Sequence, residues 1–189
     1  MATPGTRGGR STAVRLAAIG LLAAAVTGTL YAVGRLHAPG YTVGLFGQAG
    51  LAAVTLKSLL ATVVLGLAVV QVLLALWLYR KLPLAGSPPR PVRLSHRITG
   101  FVLFALTVPI AVHCLIAYGV QLTSARVAVH SLAGCLFYGA FTAKVLLVRT
   151  RRLPGWALPA AGGALALLVA MLWYTSALWY DNGYQLPGV

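Results

Sequence analysis

The chain has 189 residues, 59% of them hydrophobic and only 8% charged, which excludes a soluble core of ordinary make-up. A net charge of +14 points first to nucleic acid. A nucleic-acid surface interleaves its cations with aromatic or groove-reading elements, whereas here the cations mark the ends of apolar runs, so the composition reads as an integral membrane protein that binds no nucleic acid.

Crossing about 30 Å of hydrocarbon takes about 20 apolar residues at a rise of about 1.5 Å each. Five runs qualify: Leu16 to Gly34, Ser58 to Tyr79, Ile98 to Tyr118, Val127 to Val148 and Trp156 to Tyr180. They predict an all-α bundle of five transmembrane helices over about 16–34, 52–79, 97–118, 126–148 and 156–180, forming one membrane domain over residues 1–189. The first run follows Arg7, Arg10 and Arg15 and also fits a signal peptide. It is longer than the about 7–15 apolar residues of a signal core and ends in "TLYAVGRLH" without a small-x-small site, so a spanning helix is expected.

The link from Arg35 to Gly50 is rich in glycine and aromatics, with His37, Tyr41 and Phe46, and suits an interfacial loop. Lys57 stands at the outer start of the second run. The basic link 80–96 contains "LPLAGSPPRPVRLS", whose prolines predict a loop. Pro109, four residues before His113, should kink the third helix and release the carbonyl of Ala105. The connection from Gly119 to Ala125 is so short that the third and fourth helices should be antiparallel neighbours. Trp156, Trp173, Trp179, Tyr180 and Tyr184 suit interfacial anchoring.

Arg7, Arg10, Arg15, Arg80, Lys81, Arg90, Arg93, Arg97, Arg149, Arg151 and Arg152 fall on one side, and Arg35 and Arg126 on the other. The positive-inside bias then puts the N-terminus in the cytoplasm and the C-terminus outside, in a plasma membrane whose anionic lipids face the basic side. Cys114 and Cys135 differ in depth by about 9 Å at the helical rise, too far for a disulfide, and read as small core residues.

His113 and His130 stand equally far from the turn's midpoint between Gln121 and Leu122, and so at one depth, about 8 Å below the outer boundary. Two level imidazoles on facing helices can give both axial bonds to the iron of haem b. Gly134, one turn after His130, leaves a low surface for a flat macrocycle. Arg126, one turn before it, and Lys57 can meet haem propionates or snorkel to lipid phosphates. Quinone, proton or metal handling, and a structural pair bonded to backbone carbonyls, stay open. His96 lies about 25 Å from His113 along the helix and reads as a boundary residue, a quinone contact or a proton carrier. With no glutamate and one aspartate, Asp181, the chain lacks the paired carboxylates of hydrolytic chemistry and of ion-coupled transport.

"HRITGFVLFALTVPIAVHC" followed by "RVAVHSLAGCLFYGAFTAKVLLVRTRRLPGWALP" resembles a small uncharacterised family of actinobacterial membrane proteins over about Leu94 to Tyr180. More loosely, the histidine pattern is similar to b-type transmembrane cytochromes related to ferric reductases. The cytochrome resemblance implies haem b on His113 and His130, electron exchange with a quinol or an extracytoplasmic partner, and a role as electron-transfer subunit of an oxidoreductase. The actinobacterial one implies an iron–sulfur partner protein. Two-haem members carry four ligating histidines, and only three histidines here lie in or beside the bundle. The alternative is a non-redox structural or assembly subunit of a membrane complex.

Overall fold

The computed structural model describes residues 6–82, 86–150 and 153–187, with side chains from Thr12 onward. Residues 83–85 of the proline-rich link, Arg151 and Arg152 lie outside the described residues, as do the side chains of Arg7 and Arg10. The described residues are all-helical, apart from an isolated bridge between Leu45 and Gln48. Their long helices are α1 (Thr6–Leu36), α2 (Gly50–Leu78), α3 (Arg90–Ala117), α4 (Ala125–Arg149) and α5 (Ala157–Trp173). The last continues through a π-helical turn, Tyr174–Leu178, into a final turn, Trp179–Asp181. Five helices are long and apolar enough to cross a membrane.

The expected bounds hold to within a few residues at most ends, with two larger differences. The first helix starts at Thr6 rather than Leu16. The third starts at Arg90, inside the segment read as loop, with Pro89 as N-cap and Pro91 in the first turn. A first-turn proline forfeits only an N–H that has no partner there, and its fixed φ favours the helix. At α4 the side chain of Ser124 caps the start by accepting from the Val127 N–H at 3.3 Å.

Packing sets which helices are true neighbours. The helix α4 lies against α1 and α5, while α2 lies against α3 and α5. The buried core joins Val64 and Ala68 of α2, Leu103 of α3, Phe137 of α4, and Leu165 and Val169 of α5. A second cluster of Ile19, Leu147 and Ala157 ties α1, α4 and α5 together elsewhere.

The third and fourth helices, expected as antiparallel neighbours, meet through long side chains rather than through close backbones. Large rings bridge these two helices: Phe104 stacks on Phe141 at 3.9 Å, and the Tyr138 hydroxyl donates to Thr107 Oγ1 at 3.2 Å. The close backbone partner of α4 is α1, because a glycine stands at their crossing. A Cβ on Gly139 would lie 2.6 Å from the Ala23 carbonyl oxygen and would also strike the Thr27 side chain.

The link between α1 and α2 is stitched to the end of α3. The Gly40 N–H donates to the Ile116 carbonyl at 3.1 Å, and the Val120 N–H donates to the Gly34 carbonyl at 2.8 Å. The His37 ring and the Arg35 guanidinium reach the carbonyls of Ile116 and Val120. Gly119 turns the chain with φ +66°, and any Cβ there would sit 2.6 Å from the Gly34 oxygen.

Gly139→Ala should therefore force α1 away from α4, costing about 1–3 kcal/mol. Thermal unfolding in detergent should show a lowered midpoint, whereas Gly162→Ala, which meets nothing within 4 Å, should leave it equal or slightly raised.

Candidate functional site

The site grows from the one irregularity in α5. The sequence YTSAL forms the π-helical turn Tyr174–Leu178, a form found mostly as single turns and often at functional sites. Thr175 sits in it, 4% exposed. Its hydroxyl donates to the Met171 carbonyl at 2.7 Å, which commits the hydrogen and leaves the oxygen to accept.

His130 Nδ1 lies 3.0 Å from that oxygen. The Nδ1 atom therefore carries the hydrogen, and the lone pair of the neutral ring is on Nε2. The Thr175 carbonyl oxygen accepts from Arg126 Nη1 at 2.7 Å, and the same guanidinium stacks over Trp179 at 3.6 Å. One residue of the π turn thus orients both the histidine and the arginine one turn before it. Arg126, expected to meet a propionate or a lipid phosphate, bonds a carbonyl and lies over an indole here.

His130 lines a cavity of about 150 Å³ at the centre of α2 to α5, which Leu30 of α1 also reaches. Gly134 is in the wall, and a Cβ there would meet only Leu172 Cδ2 at 3.9 Å, so the wall is low beside the histidine as expected. Both cysteines line the cavity as free thiols. Among the described residues no three His, Cys, Asp or Glu side chains are grouped as a metal site requires.

His113 is placed differently. Although buried at 4% exposure, it is not in the cavity wall. Its Nε2–H donates to the Val43 carbonyl at 3.0 Å, its Nδ1 is buried without a hydrogen-bond partner, and its ring meets Tyr118 edge-on. The two histidines were expected at one depth, a reading that does not fix where their rings point. Helix rotation aims His113 at the α1–α2 link and His130 at α5. Lys57 donates to the Tyr118 hydroxyl at 3.2 Å and lies over that ring, away from the cavity. His96 has its carbonyl held by Gln71 Nε2 at 2.8 Å and its Nδ1 buried without a partner.

Haem b can be tested against this geometry. His130 suits an axial ligand, since a ligating histidine commonly donates its other N–H to a neighbouring group. The cavity, however, is about the size that takes one benzene ring, smaller than the about 300–1,000 Å³ of pockets for larger ligands. With His113 tied to Val43, a porphyrin gripped between the two histidines does not fit this arrangement.

Sequence reasoning missed Thr175, whose signal was a threonine and serine pair near the end of an apolar run. It also missed Ser58, whose hydroxyl meets both carboxylate oxygens of Asp181, at 2.8 and 2.9 Å, and so ties α2 to the end of the α5 span.

His113→Ala should strip the Val43 carbonyl of its donor and cost about 1–3 kcal/mol. Limited proteolysis should then cut the link 37–49 faster, while the α4–α5 end of the bundle keeps its protection.

No curated protein and no solved structure matches the chain. A protein-family model does, a family of unknown function designated DUF6529, over residues 16–188. With nearly its whole length matched, the chain belongs to that family.

Proposed function

We propose that the protein is the membrane subunit of a redox system, working in the plasma membrane with its N-terminus in the cytoplasm and with His130 as its central group. One observation carries the reading: His130, its Nδ1 held 3.0 Å from the Thr175 hydroxyl oxygen, lines a cavity inside the bundle. An ionisable side chain at such depth is costly and marks function by default. The one acidic side chain of the sequence, Asp181, is bonded to Ser58, so His130 is the natural base and ligand of the site. Electrons leave to a partner protein, an iron–sulfur protein being the class favoured by the family resemblance of the sequence.

Haem b bound through His130 alone is a second reading, favoured by that same Thr175 contact and by the low wall at Gly134. Bound haem would supply one-electron transfer. It would require the cavity to widen beyond its present size.

The test is to purify the chain and its His130→Ala and His113→Ala variants in mild detergent, then search each for a redox-active component. Reduced-minus-oxidised absorption reads haem, and solvent extraction reads small organic ligands. A component present in the parent, retained by folded His113→Ala and lost at least tenfold in His130→Ala is expected. A parent preparation without any such component would leave the non-redox assembly role standing in its place.

A further inference from the structure

The cavity of about 150 Å³ is lined mainly by apolar side chains, and most of its polar groups are already committed. The Tyr138 hydroxyl donates to Thr107, whose own hydroxyl donates to the Phe104 carbonyl at 2.7 Å. Ser176 donates to the Leu172 carbonyl at 2.6 Å, and the Trp173 indole N–H donates to Thr62 at 3.0 Å. Besides the free thiols of Cys114 and Cys135, two stronger hydrogen-bonding groups have no second partner. His130 Nε2 is an acceptor, by the tautomer argument above. Ser131 Oγ accepts from the Gln121 N–H at 3.3 Å and so keeps its hydrogen to donate.

These features narrow the occupant. A fitting occupant would be apolar over most of its surface, would place one six-membered ring in the cavity, and would give an O–H to His130 and take a hydrogen bond from Ser131. It would carry no net charge, since no Asp, Glu, Lys or Arg side chain lines the wall. The cavity is partly open, which leaves an exit for a tail. We infer that the His130 cavity binds the ring of a lipid-soluble quinol, with one ring hydroxyl donating to His130 Nε2 and the hydrocarbon tail leaving through the open side. This rests on the assignment of His130 as the redox site, and it names a ligand class for that site where a porphyrin gripped between His113 and His130 does not fit.

Trp173 in the wall supplies the readout. Purified protein in detergent is titrated with decyl-tailed benzoquinone and with its hydroquinone, following tryptophan fluorescence. Saturable quenching is expected in the parent and is expected to shrink in Trp173→Phe. His130→Phe, which removes the acceptor, should weaken hydroquinone binding about tenfold, with His130→Gln recovering part of it. Gly134→Leu, placed where only one side-chain atom lies within 4 Å, should fill the cavity and abolish saturation while circular dichroism and the melting midpoint confirm folding. Linear quenching that is identical in the parent and all variants would overturn the inference. A haem absorption band lost in His130→Ala would also overturn it while leaving the redox assignment intact. Absence of saturable binding, haem and any extractable redox compound would sink both.

Discussion

In hydrocarbon no water is on hand to satisfy a polar atom, so each donor and acceptor away from a helix ladder has to find its partner within the chain. That constraint organises everything irregular in this bundle. Val43 lies in a link with no helix to bond it, and a buried imidazole supplies the missing donor. Thr175 lies in a widened turn, and its hydroxyl and carbonyl are both taken by α4. The lone carboxylate at the end of the α5 span finds a serine on α2. Each solution fixes one element against another, and together they locate the site.

The outcome divides the labour of two histidines that look equivalent along the chain. Each is bonded through one ring nitrogen, but the choice of nitrogen differs. His113 spends its outer nitrogen on a carbonyl and closes a loop, while His130 spends the nitrogen nearer its own backbone on Thr175 and keeps the outer one. The same side chain thus closes a loop in one helix and lines the cavity in the next. The deciding variable is helix rotation, which a depth argument does not contain.

The number and approximate extent of the helices were legible because apolar length is a one-dimensional property. So was the low wall at Gly134 beside His130, since both lie on one helix one turn apart. Relations between helices were less legible. The short link after α3 makes α3 and α4 successive in sequence, yet the Gly139 crossing draws α4 to α1, and paired aromatic rings bridge α3 and α4 instead. The start of α3 was misread because prolines were treated as uniformly breaking, although at Pro89 and Pro91 they open the helix. The π turn had no warning stronger than two hydroxyl residues in an apolar stretch.

Leu30 brings α1 to the cavity, and two glycine-mediated contacts bracket it along that helix: Ala23 and Thr27 against Gly139 on one side, and Gly34 against Gly119 on the other. A rod clamped above and below a point cannot swing out at that point without breaking a clamp. The first helix is therefore a fixed wall of the cavity, pinned to α4 at one level and to the turn after α3 at another.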